Sequence, residues 1–251
     1  MSQQNRIALV TGAAQGLGLA SALALLEAGN RVVATDLKNV DPGLFPEACR
    51  NRVMTAELDV TNREQAAGVF ARARKDWGPV GILVNNAGVA FKLPDKTSAM
   101  ATTVSDEEWE KTIAVNLTSV LAMTQLAVPQ MRESGWGRVI NMASLAGRTR
   151  SRVSGAAYSS TKAGVIGMTR TMANDLGPSG ITANCVAPGR ILTPMAMLGG
   201  PEVNRAYAEQ IPVRRLGTME EVGAVVAFLA SEITGFINGA VIDVNGGYFM
   251  P

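Results

Sequence analysis

The chain has 251 residues, with 23 basic and 21 acidic side chains, two cysteines and no histidine. The lack of histidine excludes Ser-His-Asp catalysis, Cys-His catalysis and histidine-ligated zinc, because each of them needs an imidazole, and no metal site is expected. A net charge of +2 provides no general field for nucleic acid, so no nucleic-acid partner is expected. Cys49 and Cys185 are isolated, which is typical of buried thiols in a reducing compartment. The first apolar run, residues 7–10, is too short for a signal peptide or a membrane span, and a cytoplasmic protein without a membrane partner is predicted.

Short apolar runs alternate with longer helical patterns along the chain, which is typical of βαβ units with a parallel sheet. The sequence therefore predicts an α/β protein. It would form a single-domain Rossmann fold over residues 1–251, with a doubly wound parallel sheet of about seven strands and helices on both faces. In chain order, strands are predicted at residues 7–10, 31–35, 53–58, 81–85, 138–142, 181–186 and 241–244, and helices at residues 16–28, 62–77, 106–133, 155–176 and 219–230.

The first predicted strand leads into a glycine-rich turn, with Gly12, Gly16 and Gly18 just before or inside the start of a helix. Glycines let a backbone approach a pyrophosphate, and a helix N-terminus presents free N–H groups to it. Asp36 ends the second strand, where a carboxylate can bind both ribose hydroxyls and would repel a 2′-phosphate, which favours NAD over NADP. The alternatives are a plain strand-to-helix turn for the glycines and a turn residue for Asp36, and Lys38 keeps NADP open.

A tyrosine and a lysine, Tyr158 and Lys162, lie four residues apart in a predicted helix and share one face. A nearby cation stabilises a phenolate, so the pair can act as a general acid/base without histidine. Alone, such a pair is more often two surface side chains one helical turn apart. Ser144 follows the fifth strand and could donate a hydrogen bond to a substrate oxygen, and the Asn-Asn-Ala-Gly segment at residues 85–88 follows the fourth strand.

Together these motifs resemble the short-chain dehydrogenase/reductase family. The resemblance implies that Tyr158 is the general acid/base, that Lys162 lowers its pKa and bonds the nicotinamide ribose, and that Ser144 orients the carbonyl or alcohol. It also implies that Asn116, through its backbone carbonyl in a bent helix, holds a water in a proton relay to Lys162. The matching segments are residues 11–18, 59–60, 85–88, 116, 144, 158–162, 188–189 with 193, and 245–247, which span nearly the whole chain in the family's order.

The resemblance also implies a set of cofactor contacts, from the pyrophosphate to the nicotinamide carboxamide. The family's NADP users tend to carry a basic residue at the places of Gln15 and Leu37, so NAD is the predicted cofactor. The pyrophosphate would be surrounded by Gly12, Gln15, Gly16, Leu17 and Gly18, and Asp36 and Leu37 follow at the end of the second strand. Asp59 and Val60 would contact the adenine, Asn86, Ala87 and Gly88 would lie along its ribose, and Ile191 and Thr193, after Pro188 and Gly189, would hold the carboxamide.

Three arginines, Arg148, Arg150 and Arg152, lie between Ser144 and Tyr158 in a loop that should border the active site. Arginine binds carboxylate, phosphate or sulfonate in a fork geometry, so an anionic substrate is one interpretation. The alternative is that these arginines pair with acids at a subunit interface or are solvated. The segment at about residues 193–213, which includes Met195, is a candidate substrate lid, and the connection at residues 90–104 is also unusually long.

The sequence thus favours an NAD-dependent oxidoreductase that transfers a hydride between a nicotinamide cofactor and a small secondary alcohol or ketone. The alternatives are a 3-oxoacyl reductase type of enzyme, a non-catalytic NAD-binding regulatory protein, and a nucleotide-sugar epimerase, which usually needs a larger C-terminal region. Members of the family are usually tetramers, so the resemblance implies a homotetramer packed through the helices that begin near Asp106 and Gly155.

Overall fold

A computed structural model describes residues 5–95, 97–151, 153–197 and 200–251, except for the side chain of Met195. Seven strands form one parallel sheet in the order β3-β2-β1-β4-β5-β6-β7. The winding reverses at β1, which pairs with β2 on one side and β4 on the other, so the predicted doubly wound sheet is confirmed. The strands are β1 (Ile7–Thr11), β2 (Arg31–Asp36), β3 (Val53–Glu57), β4 (Val80–Asn85), β5 (Gly137–Met142), β6 (Ile181–Pro188) and β7 (Val241–Val244).

Helices cover both faces of this sheet, and capping side chains start several of them. Asn62, Ser105 and Thr218 each accept a hydrogen bond from the backbone N–H three residues further on, which satisfies a donor that a helix end leaves free. The helices are α1 (Gly16–Glu27), α2 (Arg63–Asp76), α3 (Asp106–Ile113), α4 (Ser119–Ser134), α5 (Ala156–Leu176), α6 (Pro194–Met197), α7 (Pro201–Gln210) and α8 (Met219–Leu229).

Two apolar cores hold the layers together, one on each face of the sheet. On one face Leu83 of β4 packs in the same cluster as Met123 of α4. On the other face Val10 of β1 clusters with Leu25 of α1 and Val226 of α8. Burial on both faces explains why the strand sequences are apolar throughout.

The helix predicted over residues 106–133 is interrupted, which corrects that prediction. A π-helical turn, Ala114–Thr118, separates α3 from α4. The run Asp106–Ser134 is long and apolar enough to cross a membrane, but Met123, Ala127 and Met131 belong to the core against the sheet, as in a core helix.

The two long connections differ in structure. The segment predicted as a loop at residues 193–212 contains the two short helices α6 and α7, so we call residues 193–213 the lid segment. Met195 lies in α6. By contrast, the described part of the connection at residues 90–104 has turns but no helix or strand.

Candidate active site

The glycine-rich turn follows β1 and is tied to the end of β4. Gly12 and Gly16 have positive φ angles of 67° and 59°, and a Cβ on Gly18 would lie 1.9 Å from the carbonyl oxygen of Gly12. The Asn86 side chain donates hydrogen bonds to the carbonyls of Thr11 (2.9 Å) and Gly12 (3.1 Å). The turn is therefore held against the switch point of the sheet, where a dinucleotide binds in this fold.

The start of α1 fits the diphosphate of a nucleotide cofactor. Gln15 occupies the N-cap position and makes no capping hydrogen bond with its side chain, so the first N–H groups of α1 keep no side-chain partner. Leu17 is partly buried beside them. Free N–H groups and the helix dipole together favour an anionic group at this end.

Asp36 lies beside this turn at the end of β2. Its carboxylate accepts hydrogen bonds from the backbone N–H groups of Ala14 (3.0 Å) and Leu37 (2.8 Å). The side chain of Leu37 is exposed, and Lys38 is the next exposed residue. A carboxylate placed between the turn and β2 fits the ribose end of a nicotinamide dinucleotide.

The other residues predicted at the adenosine end lie near the same sheet edge. Asp59 accepts hydrogen bonds from the backbone and the hydroxyl of Thr61, at 2.9 and 2.7 Å, and the side chain of Val60 is buried in the core. The backbone N–H of Ala87 donates to the hydroxyl of Thr11 at 3.0 Å. Gly88 follows, and a Cβ added to it would lie 3.7 Å from the Lys162 ammonium.

The proton-transfer candidates converge at the carboxyl ends of β4 and β5. Ser144 follows β5, and its hydroxyl bonds with Tyr158 in α5. The Lys162 ammonium is buried, donates to the carbonyl of Met142 at 2.7 Å and lies 5.6 Å from the centre of the Tyr158 ring. The helix and the sheet thus bring Ser144, Tyr158 and Lys162 together.

Burial is the main influence on the pKa values in this cluster. Burial raises the pKa of the Tyr158 phenol, and the hydrogen bond with Ser144 opposes that rise. Burial also lowers the pKa of Lys162 to about 8. The Lys162 ammonium donates to the Met142 carbonyl, and its role in lowering the pKa of Tyr158 stays a prediction.

Asn116 lies in the π-helical turn and is fully buried. Its side chain accepts from the N–H of Val89 (2.8 Å) and donates to the carbonyl of Val89 (2.9 Å). It also donates to the Thr161 hydroxyl at 3.4 Å. The side chain therefore fixes the segment after β4 to α5, while the role of its backbone carbonyl in a proton relay stays a prediction.

The segment after β6 carries the residues predicted to hold the nicotinamide carboxamide. Gly189 passes so close to Asn245 that a Cβ would lie 2.9 Å from the Asn245 side chain. Ile191 is buried and forms an isolated parallel bridge with Gly217. The Thr193 hydroxyl accepts from the N–H of Ala196 at 3.1 Å and so starts α6.

The arginines between Ser144 and Tyr158 do not share one environment. Arg148 makes two hydrogen bonds to Asp243 of β7, at 3.2 and 2.9 Å, and its guanidinium lies 5.3 Å from the Phe249 ring centre. This favours the alternative in which Arg148 pairs with an acid, here within its own chain. Arg150 is exposed, and Arg152 lies outside the described residues.

Sequence reasoning missed two cations that the fold brings towards the substrate side. Lys92 donates to the Ser98 hydroxyl at 2.9 Å and to the Val153 carbonyl. Arg190 follows Pro188 and Gly189 directly, and its guanidinium bonds Asn204. The position of Arg190 after the Pro-Gly pair was the available signal, whereas nothing in the local sequence marks Lys92.

Comparison with known proteins agrees with this geometry. A family model described as enoyl-(acyl carrier protein) reductase matches residues 12–249. The chain is 41% identical to nodulation protein G from Azospirillum brasilense over 98% of each chain, and 36% identical to an acetoacetyl-CoA reductase from Shinella zoogloeoides over 98% of this chain and 99% of that protein. A crystal structure of a 3-oxoacyl-(acyl-carrier protein) reductase with bound NAD from Brucella melitensis superposes with a TM-score of 0.91 at 32% identity, covering 100% of this chain and 93% of that one.

These similarities span the glycine-rich turn, the Ser-Tyr-Lys cluster and the lid segment alike. The chain therefore belongs to the short-chain dehydrogenase/reductase family of NAD(P)-dependent oxidoreductases and is similar to its 3-oxoacyl reductases.

Proposed function

We propose that this protein is an NAD-dependent oxidoreductase that transfers a hydride between nicotinamide and a small secondary alcohol or its ketone. The observation that carries the proposal is the cluster of Ser144, Tyr158 and Lys162, which lies at the carboxyl ends of β4 and β5 beside the glycine-rich turn. This is where a substrate carbonyl would meet both a proton donor and the cofactor.

The residues divide the chemistry as follows. When bound, the nicotinamide cofactor supplies the hydride for reduction and accepts it in oxidation. During reduction the Ser144 hydroxyl donates a hydrogen bond to the substrate oxygen, and Tyr158 transfers its phenolic proton to that oxygen as negative charge develops. A phenol whose pKa is raised by burial keeps its proton until that moment.

The oxidation direction needs the phenolate, and Lys162 is the cation available to stabilise it. Its ammonium stays protonated below its pKa of about 8. It is also close to Gly88, on the segment proposed to run along the cofactor. Asn116 serves as a positioning residue, because its side chain fixes the segment that begins at Gly88.

The preference for NAD rests on Asp36. Its carboxylate faces the turn and accepts hydrogen bonds from the backbone N–H groups of Ala14 and Leu37. A 2′-phosphate at this position would meet like charge. The bound NAD of the similar Brucella melitensis reductase supports the same choice.

A second candidate is reduction of 3-oxoacyl thioesters, which the names of the similar reductases favour. The two candidates share the catalytic cluster and differ only in the group attached to the ketone. They are separated by the substrate, and both differ from a regulatory protein that binds NAD without turnover.

The test is a turnover assay with purified protein. NADH and NADPH are each supplied with acetoacetyl-CoA, neutral ketones and short keto acids, and Tyr158→Phe is the control variant. We expect oxidation of NADH with at least one ketone, a much weaker rate with NADPH, and a loss of about 100-fold or more in Tyr158→Phe.

Two results would contradict the proposal. Equal catalytic efficiency with NADPH would remove the NAD preference. Tight binding of NADH without turnover of any ketone class would favour the regulatory alternative. In the control variant, retained NADH binding, measured by fluorescence, shows that the fold and the cofactor site are intact.

A further inference from the structure

Two cations, Lys92 and Arg190, lie on different segments that both leave the catalytic cluster. Lys92 is four residues beyond Gly88, and a Cβ added to Gly88 would lie 3.7 Å from the Lys162 ammonium. Arg190 follows the end of β6, and β6 pairs with β5, the strand that precedes Ser144. Both segments therefore begin beside the catalytic cluster.

Lys92 is anchored by two hydrogen bonds of its ammonium. It donates to the Ser98 hydroxyl and to the carbonyl of Val153, five residues before Tyr158, and Ser98 donates to the same carbonyl at 3.0 Å. The connection at residues 90–104 is thereby fastened to the start of α5. An ammonium has three donors, so one N–H of Lys92 remains after these two bonds.

Arg190 is held in place by neutral groups. Its Nε and Nη2 atoms donate to the Asn204 amide oxygen at 3.0 and 2.9 Å, and Nη2 also donates to the Ala196 carbonyl at 2.9 Å. The guanidinium lies 5.4 Å from the centre of the Tyr207 ring. Nη1 donates to no group among the described residues, so its N–H groups remain available.

Neither cation has a carboxylate partner. Within the described ranges, none of the ion pairs includes Lys92 or Arg190. Residues 1–4, 96, 152, 198 and 199 contain no acidic side chain. Lys92 is an exposed residue, and partial desolvation of its ammonium, together with the repelling charge of Arg190, lowers its pKa. Burial lowers the pKa of Arg190 as well.

We propose that Lys92 and Arg190 form an anion-binding subsite and that the substrate is a small keto acid or hydroxy acid whose carboxylate lies between them. Two like charges without a counter-ion are unfavourable alone, and a carboxylate would relieve their repulsion and accept hydrogen bonds from their remaining N–H groups. Arg148 is not needed for this subsite, because Asp243 already neutralises it. The inference rests on the proposed function and specifies its substrate class.

The geometry also gives the subsite a role in lid position. Asn204 and Tyr207 belong to α7 and Ala196 belongs to α6, so Arg190 connects the substrate anion to both lid helices. A carboxylate bound at Arg190 therefore contacts the same guanidinium that holds the lid segment.

The experiment compares acids with neutral esters of the same shape. Reduction of 4-oxopentanoate and of its methyl ester is measured in the wild type, Lys92→Met, Arg190→Gln and Arg205→Gln. Arg205 is the matched control, because it lies on α7 but pairs with Glu202. In parallel, binding of pentanoate and of methyl pentanoate to the NADH complex is measured by isothermal titration.

We expect the wild type to favour the acid at least about tenfold in kcat/KM. Lys92→Met and Arg190→Gln should each reduce that preference about tenfold to a hundredfold, mainly through KM, as the loss of a charged hydrogen bond predicts. Arg205→Gln should keep it. If Arg190→Gln does not fold, Lys92→Met alone decides, with its thermal midpoint as the check on folding.

Equal handling of acid and ester by the wild type, in turnover and in titration, would overturn the subsite even if the enzyme is active. Pentanoate binding that depends on Lys92 and Arg190, without reduction of any ketone, would instead support the subsite while the proposed function fails. A preference for the acid that neither variant changes would also refute the assignment to this pair.

Discussion

Lys162 combines a buried position with a positive charge, and that combination costs stability. The side chain is 4% exposed, and burial lowers its pKa from 10.5 to about 8. A shift of this size means that the charged form is roughly 3 kcal/mol less favourable in the folded protein than in the unfolded chain. The bond to the Met142 carbonyl offsets part of that cost.

Replacing this residue should therefore stabilise the fold while it removes function. We expect Lys162→Met to raise the free energy of unfolding at pH 7 by about 1 to 2 kcal/mol, since the desolvation cost exceeds the lost hydrogen bond, and to abolish most turnover. Urea denaturation of the wild type, Lys162→Met and the charge-retaining Lys162→Arg would measure the difference.

The pH dependence of that difference has a definite sign. Below a pH of about 8 the lysine is protonated in both the folded and the unfolded state, so the wild type carries the full cost. Between about 8 and 10.5 the folded protein releases the proton first, and the unfolded chain binds more protons, so this cost disappears as pH rises. A gap between wild type and Lys162→Met that widens with rising pH would contradict the argument.

At the level of elements, a chain of buried polar side chains joins the central strands to the helix that carries Tyr158. Asn85 of β4 donates to Asn141 of β5 at 2.8 Å, and Asn141 donates to Thr169 of α5 at 2.8 Å. Asn141 is fully buried. Each member is satisfied by the next, so the chain specifies how α5 sits on the sheet.

Removal of the Asn141 side chain should weaken the attachment of α5 to the sheet. We expect Asn141→Ala to lower the free energy of unfolding by about 2 to 4 kcal/mol, because it leaves buried donors without partners and opens a cavity. The matched control is Asn174→Ala, which removes an exposed asparagine from α5, and it should change the free energy of unfolding little. Equal midpoints in thermal denaturation for the two variants would show that the chain of side chains is not stabilising.

The sequence was sufficient for features that depend on local spacing, and insufficient for those made by tertiary approach. Apolar runs and capping residues such as Ser105 located the strands and most helices. The glycine turn and Asp36 follow from their positions after the first two strands, and the Tyr158–Lys162 pair follows from spacing along one helix. The π-helical turn at Ala114–Thr118 changes no apolar period, so the pattern predicted one continuous helix and only the resemblance implied a bend at Asn116. The contact of Lys92 with Val153, across 61 positions of sequence, could not be predicted from either segment alone.

For the whole molecule, exposed apolar side chains form a candidate contact surface for the homotetramer that the family resemblance implies. Phe228, Ile233 and Phe236 are 48%, 73% and 103% exposed, and all lie in the stretch from the end of α8 towards β7. Clusters of large apolar side chains in water are typical of protein interfaces. The C-terminal tail packs on its own chain, because Tyr248 stacks on Tyr207 and the Phe249 ring lies beside the Arg148 guanidinium.

We therefore predict that the stretch from Phe228 to Phe236 contributes one interface of a homotetramer. In a tetramer with two kinds of isologous interface, loss of one kind leaves dimers, so Phe236→Glu should about halve the mass in solution. Light scattering after size-exclusion chromatography measures this mass against the 26.3 kDa chain. Leu44→Glu, another exposed apolar position far from this stretch in sequence, is the control and should stay tetrameric. A monomeric wild type would exclude this interface. A Phe236→Glu variant of unchanged mass would exclude it as well, because the free energy of burying an unpaired glutamate in an apolar contact exceeds the free energy that the contact contributes.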